Sequence, residues 1–314
     1  MLPGGHPGPV EYALVHSEAG SPVLAVDIGG TKIDVAVVDV DGVIGSRARI
    51  PTPVTDDAEE LFGELDAVIG RVRSASTSEP VVCGIGCGGP MELGGATVSP
   101  LNITAWRGFP LRARVAASVG LPVSIDNDAK ALALGEGWLG AARGSGNYLA
   151  MVVSTGVGGG IVVDHRLLDG THGNAGHIGH VVVEPDGRPC VCGGRGCLEA
   201  EASGLSIQAV TGRPAREAPL GVRRRTGMLV GRAVASVANL LDIELAVVAG
   251  SVALGFGPVF FEAAQREIEL RSRLEFSRST RIIPSGLGAD GPLVGAAAVG
   301  RRALAAASGA GTPR

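Results

Sequence analysis

Residues 23–38 read VLAVDIGGTKIDVAVV, two runs of strand-forming residues with Gly29 and Gly30 between them. Such runs around a Gly-Gly turn predict a β-hairpin. The pattern returns over residues 148–163, where YLAMVV and IVV flank the stretch STGVGGG of residues 154–160. Two copies of one hairpin predict a chain made of two related halves with a cleft between them.

The stretches outside the hairpins predict helices and parallel strands, so the expected fold class is α/β. Thr55 is expected to cap a helix over residues 56–73. Residues 80–85 are read as a short buried strand that ends in glycines. A single helix is expected over residues 256–273, and an Ala-rich helix over residues 295–307.

We predict two domains from this order of elements. An N-terminal α/β domain comprises residues 23–128 plus 295–314, and a C-terminal α/β domain with a zinc-binding loop comprises residues 129–294. Residues 1–22 are rich in Gly and Pro and are expected to form a flexible tail.

The composition is that of a globular protein and differs from that of a nucleic-acid binder. Hydrophobic residues make up 45% and charged residues 18% of the 314 residues, enough apolar material for a core. The 27 Lys and Arg against 31 Asp and Glu give a net charge of −4, without the basic excess of nucleic-acid binders. No signal-peptide pattern is seen, and no apolar run approaches the ~20 residues of a membrane span. We expect a cytoplasmic protein with no nucleic-acid or membrane partner.

Both glycine turns have the chemistry to bind phosphate groups, because consecutive backbone N–H groups without a Cβ form an anion-binding concavity. Asp27 beside the first turn is a hard oxygen ligand suited to Mg²⁺, and Thr31 and Lys32 add a hydroxyl and a positive charge. For one turn alone a structural hairpin is the better explanation. Two turns that face a common cleft favour a nucleoside triphosphate held from both sides.

Two other glycine patterns are rejected. Gly30-Thr31-Lys32 does not fit the P-loop pattern Gly-x-x-x-x-Gly-Lys-Ser/Thr. Residues 84–89 match the dinucleotide pattern Gly-x-Gly-x-x-Gly, but Pro90 follows at once and no helix is predicted there. Without a helix N-terminus, a pyrophosphate group has no site.

A cysteine-rich segment predicts a metal site. His180, Cys190, Cys192 and Cys197 have the spacing His-x9-Cys-x-Cys-x4-Cys within turn-rich sequence. Three thiolates and one imidazole form a closed tetrahedral set, which is typical of structural Zn²⁺. The alternative is a set of reduced loop cysteines. Cys83 and Cys87 lie elsewhere and are expected to be small buried hydrophobic residues.

A candidate general base follows the predicted strand over residues 123–125. Asp128 opens a helix there, and it needs no function beyond that of an N-cap. The functional interpretation places it at a strand end, where its carboxylate accepts a proton from a hydroxyl that attacks a phosphoryl group. The neighbouring Asn127 offers both a donor and an acceptor, which suits a polyol.

The motifs occur along the chain in the order Asp27-Ile-Gly-Gly-Thr-Lys32, Asn127-Asp128-Ala129 with Gly135-Glu136, Ser154-Thr-Gly-Val-Gly-Gly-Gly160, Gly179-His180 and Cys190-x-Cys192-Gly-Gly-Arg-Gly-Cys197-Leu-Glu199. Together they resemble the ROK family (repressors, open reading frames, kinases) of bacterial sugar kinases and sugar-responsive regulators. The resemblance implies a duplicated, actin-like ATPase fold of two ribonuclease H-like domains with an interdomain cleft. It also implies ATP-dependent phosphorylation of a hexose, by a homodimer or homotetramer.

The resemblance implies a role for each motif. Asp128 corresponds to the catalytic base. Sugar contacts are implied at Asn102, Asn127, His177, His180 and Glu199. Contacts to ATP and Mg²⁺ are implied at Asp27, Gly29, Gly30, Thr31, Lys32, Thr155, Gly156, Gly158, Gly159 and Gly250. The ligands of a structural Zn²⁺ are His180, Cys190, Cys192 and Cys197.

One residue departs from the family pattern and leaves the hexose open. The kinases of the family have Glu-x-Gly-His where this sequence has His177-Ile-Gly-His180. Glucose is the default substrate, and N-acetylmannosamine or N-acetylglucosamine is the alternative. A non-catalytic sugar-binding or transcriptional regulator is the third interpretation. The 26 residues before Asp27 show no helix-turn-helix pattern, which counts against a repressor.

Overall fold

A computed structural model of the chain describes residues 21–307, which divide into two compact units. The first unit comprises the described residues up to Ala131 and those from Pro292 onward, and the second runs from Leu132 to Gly291. Each unit is built on its own five-stranded sheet. The tail predicted over residues 1–22 falls almost wholly outside the described residues.

The regular elements follow one another along the chain as strands and helices of ordinary length. The strands are β1 (Val23–Ile28), β2 (Lys32–Val38), β3 (Ile44–Pro51), β4 (Val82–Cys87), β5 (Val123–Asn127), β6 (Tyr148–Val153), β7 (Val157–Val163), β8 (Arg166–Leu167), β9 (Leu245–Ala249) and β10 (Arg281–Pro284). The helices are α1 (Ala58–Ala75), α2 (Leu111–Val119), α3 (Asp128–Trp138), α4 (Leu198–Ala202), α5 (Gly204–Thr211), α6 (Leu220–Leu241), α7 (Ser251–Phe256), α8 (Pro258–Arg271) and α9 (Gly291–Ala307).

The sheet of the first unit has the strand order β3-β2-β1-β4-β5. Strands β1, β2 and β3 are antiparallel neighbours, whereas β4 and β5 run parallel to β1. Every residue of β1 and β4 is buried, as expected for central strands that are covered on both faces. One core cluster fills the face toward α1, where Leu61, Leu65 and Val68 pack against the strands.

The sheet of the second unit repeats this plan. Its order is β8-β7-β6-β9-β10, with β6, β7 and β8 antiparallel and with β9 and β10 parallel to β6. Its core lies mainly between the sheet and the long helices α6 and α8. The common strand order confirms the predicted α/β class and the predicted duplication. None of the helices in the described part of the chain is long and apolar enough to cross a membrane.

The cap of α1 differs from the prediction. Asp57, not Thr55, is the N-cap, and its carboxylate accepts hydrogen bonds from the N–H groups of Glu59 at 2.8 Å and Glu60 at 3.3 Å. The hydroxyl of Thr55 instead donates to the carboxylate of Glu60 at 2.6 Å. Thr55 lies two residues before the cap position, so its short side chain does not reach these N–H groups, and the helix begins at Ala58.

The helix predicted over residues 256–273 is in fact the second of two helices, α7 and α8. The break is at Gly257, whose φ of +57° lies in the left-handed region that favours glycine. Pro258 then occupies the first position of α8, where the missing N–H costs no hydrogen bond. The predicted pattern was continuous because the apolar spacing runs across the break.

Within residues 84–89, Gly84 allows the helix α9 to pack closely on the sheet of the first unit. A Cβ at Gly84 would overlap the carbonyl oxygen of Ala296 and lie 2.6 Å from the backbone nitrogen of Gly300, both in α9. After β4 the chain enters turns and a short 3-10 helix over Leu93–Gly95. The rejection of a dinucleotide site is consistent with this geometry, since no α-helix follows β4 directly.

Candidate active site

Two carboxylates lie at one edge of the sheet in the first unit. Asp27 is near the end of β1, and Asp128 is the first residue of α3, directly after β5. Because β1, β4 and β5 are parallel neighbours, their carboxyl ends share this edge. The charge of Asp128 reaches Asp27 and helps to raise its pKa.

Asp27 is almost completely buried, and burial raises its pKa to about 7. The ammonium of Lys32, 4.0 Å from the Asp27 carboxylate, opposes this rise, and the charges of Asp128 and Asp34 add to it. A buried carboxylate with too little positive charge around it is a suitable ligand for a divalent cation.

Asp27→Asn is expected to stabilise the metal-free protein increasingly as the pH rises. Burial raises the pKa of Asp27 on folding, so folding favours the protonated carboxyl. The wild type therefore has its full free energy of unfolding below about pH 4 and loses part of it as the pH rises toward 7. The gain from the substitution grows from near zero at pH 4 to about 4 kcal/mol at pH 8. Urea unfolding from pH 4 to pH 8 with EDTA measures it. Asp56→Asn, at an exposed position, is the control and shows no such trend.

The local geometry around Asp128 also differs in one respect from the prediction. Asn127 occupies the cap position of α3, and its side-chain oxygen accepts from the N–H of Ala129 at 3.0 Å. The Asp128 carboxylate accepts from the same N–H at 2.8 Å. Beneath them, the buried ammonium of Lys130 lies 2.9 Å from the Asp126 carboxylate. These bonds fix the start of the helix, and with it the position of Asp128.

The first glycine turn is held at its two ends and open in the middle. The N–H of Gly29 donates to the carbonyl of Lys32 at 3.0 Å, and the hydroxyl of Thr52 donates to the carbonyl of Gly29 at 2.6 Å. Among residues 21–307, no protein acceptor faces the N–H groups of Gly30 and Thr31. These two N–H groups are open to a ligand, at the turn where the sequence predicts anion binding.

Asn102, a predicted sugar contact, packs against this turn. A Cβ built on Gly30 would lie 2.5 Å from the Cβ of Asn102. The φ of Gly30 is not in the left-handed region, so this close approach explains the glycine. The segment that carries Asn102 is fixed by Arg107, whose guanidinium donates to the carbonyls of Pro100 and Ile103 at 2.8 and 2.9 Å.

Sequence reasoning missed the cluster that orients Lys32. Asp34 is buried on β2, and both Arg47 and Arg49 of β3 donate forked hydrogen bonds to its carboxylate. The ammonium of Lys32 lies 4.0 Å from Asp34 as well as from Asp27. The arginines hold the pKa of Asp34 below its usual range despite burial. The alternation of Arg47 and Arg49 along β3 was the available signal.

The second glycine turn has the same open pattern. The N–H of Ser154 donates to the carbonyl of Gly156 at 2.9 Å, and the N–H of Val157 donates to the Glu199 carboxylate at 2.9 Å. Within the described residues, the N–H groups of Thr155 and Gly156 have no protein acceptor. Each sheet therefore presents a turn in which two adjacent N–H groups are available to a ligand.

Gly158 and Gly159, predicted as phosphate contacts, lie within β7 and pair with Val152 and Met151. A Cβ at Gly159 would come within 2.9 Å of the Ile178 side chain. The absent side chain therefore lets the segment that leads to His180 cross the strand.

The four predicted metal ligands converge on one point. The ligand atoms of His180, Cys190, Cys192 and Cys197 all lie within 4.8 Å of one another. The Nδ1 of His180 is 3.7 Å from the sulfur of Cys190, and the sulfurs of Cys192 and Cys197 are 3.7 Å apart. This cluster can hold a metal ion.

The surroundings fit a small cation with sulfur ligands. A Cβ at Gly194 would lie 3.4 Å from the sulfur of Cys192 and 3.6 Å from that of Cys197, so the glycine keeps the centre open. A hydrogen bond from the backbone of Gly194 lowers the pKa of Cys192, whereas burial raises the pKa of Cys197 to about 12. A bound cation would stabilise all three thiolates, because metal ligation requires the deprotonated form.

The cluster is joined to the second glycine turn. Cys197 is the N-cap of α4, whose second residue, Glu199, accepts from Val157. A Cβ at Gly179 would overlap the carbonyl oxygen of Val157, so the 3-10 turn over Ile178–His180 lies directly on the glycine turn. The imidazole rings of His177 and His180 stack at a centroid distance of 6.2 Å. The structure therefore brings together all the sugar and metal residues predicted in this unit.

A cavity of about 310 Å³ opens beside the same turn. Ser154 and Thr155 form one wall, and Gly204, Gln208 and Ser251 contribute others. Gly250, predicted as a nucleotide contact, precedes Ser251 with a φ of +101°, and a Cβ there would overlap the carbonyl of Val153. The walls from Gly204 to Arg216 were not predicted, because residues 203–216 carry no motif.

A larger groove of about 490 Å³ lies between α6 and α8. Its lining includes Arg224, Arg266 and Glu262 and none of the predicted site residues. The predicted donors lie instead at the glycine turn of each unit, and the predicted carboxylates lie beside the turn of the first unit.

Comparisons with known proteins find similarity to sugar kinases. The ROK family model matches residues 23–303. The glucokinase of Streptomyces coelicolor is 40% identical over 185 residues, which cover 59% of this chain and 57% of that protein. The chain thus matches less than two thirds of the length of that relative. The N-acetylmannosamine kinase of Haemophilus influenzae is 37% identical over 256 residues, 74% of this chain and 82% of that protein.

A solved structure agrees with these sequence matches. The ROK family glucokinase from Streptomyces griseus, in complex with glucose and AMPPNP, superposes with a TM-score of 0.77 at 30% identity. The match covers 90% of this chain and 100% of that one. The predicted actin-like ATPase fold and the resemblance drawn from the motifs are confirmed.

Proposed function

The chain belongs to the ROK family, and on that premise we propose that it transfers the γ-phosphoryl group of ATP to a hydroxyl of a hexose. The observation that carries the proposal is the pair of glycine turns. Each sheet presents one turn with two N–H groups that no described residue accepts, at Gly30 and Thr31 and at Thr155 and Gly156. Such donors suit the oxygens of a triphosphate.

Asp128 is the proposed general base. It accepts the proton of the attacking sugar hydroxyl as that oxygen bonds to phosphorus and the bond to the leaving ADP oxygen breaks. Support comes from its place at the strand ends beside Asp27. Asn102 and Asn127 are the proposed sugar contacts of this unit, and His177, His180 and Glu199 those of the other. Phosphoryl transfer needs mainly positioning and charge stabilisation, which these fixed polar groups supply.

Asp27 is the proposed ligand of Mg²⁺, directly or through water. When bound, Mg²⁺ neutralises the charge that develops on the phosphate oxygens. The buried carboxylate with its raised pKa supports this assignment, because a cation would relieve its desolvation. Lys32, fixed between Asp27 and Asp34, is proposed to contact the same phosphate groups.

The cavity of about 310 Å³ beside Ser154 and Ser251 is the proposed adenosine site. It adjoins the open N–H of Thr155, so a nucleoside seated there would have its phosphates at the turn. Gly159 and Gly250 act through the backbone shape that they permit. We propose that His180, Cys190, Cys192 and Cys197 bind Zn²⁺, and that this ion holds the segment that carries His180 and Glu199.

A second candidate function is the phosphorylation of an N-acylhexosamine. The match to an N-acetylmannosamine kinase over 74% of this chain favours it. His177 bears on the choice, because a neutral imidazole offers one donor and one acceptor, whereas a carboxylate only accepts. We also propose a cytoplasmic homodimer or homotetramer.

A donor and acceptor screen is expected to give ADP release with ATP, Mg²⁺ and one hexose or amino hexose. Purified protein is tested with glucose, mannose, fructose, allose, N-acetylmannosamine and N-acetylglucosamine in a coupled assay. Turnover is expected to be highest with glucose under the first proposal and with an N-acetylated sugar under the second. The absence of turnover with every sugar, together with intact sugar binding, would favour a regulator.

A further inference from the structure

The peptide unit between Gly156 and Val157 is fixed at both of its polar groups. Its carbonyl oxygen accepts from the N–H of Ser154 at 2.9 Å, and its N–H donates to Oε2 of Glu199 at 2.9 Å. The bond to Glu199 is the only one of the two that comes from outside the turn. The open N–H groups of Thr155 and Gly156 belong to the two preceding peptide units, whose carbonyls accept from the N–H groups of Gly204 at 2.7 Å and Leu205 at 3.3 Å. Glu199 therefore fixes the third peptide unit of this turn.

The position of the Glu199 carboxylate explains why residue 156 is a glycine. A Cβ at Gly156 would lie 2.8 Å from Oε2 of Glu199, which is too close without a shift of the side chain. The φ of Gly156 is not in the left-handed region, so backbone strain does not explain the glycine. The glycine therefore leaves the space beside the turn that the Glu199 carboxylate occupies.

Glu199 also contacts the segment with the proposed sugar residues. Its Cβ lies 3.4 Å from the Cβ position of Gly179, the residue before His180. Its second oxygen, Oε1, has no hydrogen-bond partner among residues 21–307. The helix α4, which carries Glu199, starts at the metal ligand Cys197 and is therefore anchored. Oε2 of Glu199 is thus bound to the second glycine turn, and Oε1 is available to a ligand.

We propose that Glu199 couples the sugar site to the nucleotide site, a step that rests on the proposed function. A sugar hydroxyl that donates to Oε1 restricts the rotation of the carboxylate, and Oε2 then holds the Val157 N–H in place. Gly204 and Leu205 hold the two preceding carbonyls, so all three peptide units are then fixed, and the open N–H groups of Thr155 and Gly156 are preorganised for phosphate oxygens. Bound sugar tightens the binding of ATP, and by thermodynamic linkage ATP tightens the binding of sugar by the same factor. Glu199 is a positioning residue for the nucleotide as well as a sugar contact.

The test is the affinity for AMPPNP with and without glucose, measured by calorimetry on the metal-loaded full chain. The wild type is expected to bind AMPPNP about 5- to 50-fold more tightly when glucose is present. Gly156→Ala pushes the carboxylate away from Val157 and is expected to reduce this factor to about one, with glucose affinity in the absence of nucleotide within about threefold of the wild type. Glu199→Gln keeps one oxygen that can accept from Val157, but its NH2 group cannot accept from the sugar hydroxyl, so the factor is expected to fall toward one.

The matched control is Gly221→Ala, because a Cβ there meets open space in the same unit. It is expected to leave the factor and the metal content unchanged and not to lower the melting temperature, because alanine favours the helix more than glycine does. A wild-type factor of one, or an unchanged factor in either Gly156→Ala or Glu199→Gln, would overturn the proposal. In those cases sugar phosphorylation by the wild type would still support the proposed function. Failure to bind AMPPNP under any condition would overturn both.

Discussion

Asp128→Asn is expected to lower kcat for hexose phosphorylation by about 10²- to 10⁴-fold, the usual contribution of a general base. The amide cannot take the proton of the sugar hydroxyl, yet it has the shape of the carboxylate. Its oxygen can still accept from the N–H of Ala129, as the carboxylate does at 2.8 Å. The start of α3 is therefore preserved, and the affinity for sugar is expected to change by no more than about threefold.

A coupled ADP-release assay gives kcat, and calorimetry with glucose gives the affinity. Glu92→Gln removes an exposed carboxylate of the same unit and serves as the control, with kcat unchanged. Near-normal turnover of Asp128→Asn would show that this carboxylate is only a structural part of the helix start. A parallel loss of sugar binding would show that its main role is to hold the substrate.

Cys192→Ser is expected to remove the metal ion and to lower the melting temperature by on the order of 5–10 °C. Metal binding at a closed site contributes directly to folding, because the unfolded chain cannot assemble the four ligands. The loss should spread to the glycine turn, since Cys197 starts the helix that bears Glu199 and His180 lies on the turn through Gly179. Elemental analysis for zinc and thermal unfolding with and without EDTA measure both effects.

Cys87→Ala separates the metal effect from the loss of a cysteine. Cys87 is fully buried in the core of the first unit, so the substitution leaves a small cavity but no missing ligand. We expect its zinc content to equal that of the wild type. Zinc that stays at one equivalent per chain in Cys192→Ser would remove the support for the cluster as a metal site.

Features that depend on neighbouring residues could be predicted from the sequence. The hairpins were predictable because strand-forming runs and Gly-Gly turns are local signals, and their repetition indicated the duplication. The convergence of His180 and the three cysteines was predictable because these four residues lie within eighteen residues and form an unusual set. The cap at Asp57 and the break at Gly257 were not predicted, because several residues in each stretch could cap or interrupt a helix and packing decides among them.

Tertiary structure alone decided the long-range polar contacts of the site. The pairing of Asp34 with Arg47 and Arg49 depends on the register between β2 and β3, and a shift of one residue would turn the arginines to the other face. The raised pKa of Asp27 follows from burial and from the nearby charges of Asp128 and Asp34. The contact between Glu199 and Val157 joins residues 42 positions apart in the chain.

The sequence by itself therefore determined the class of fold, the duplication, the family and the types of residue that the chemistry needs. These depend on periodicity and on short spacings, which are properties of neighbouring residues. The tertiary structure decided which N–H groups stay open, which carboxylate is buried and which glycine makes room for which side chain. These depend on atoms that folding brings together from distant parts of the chain, and no local pattern encodes their distances.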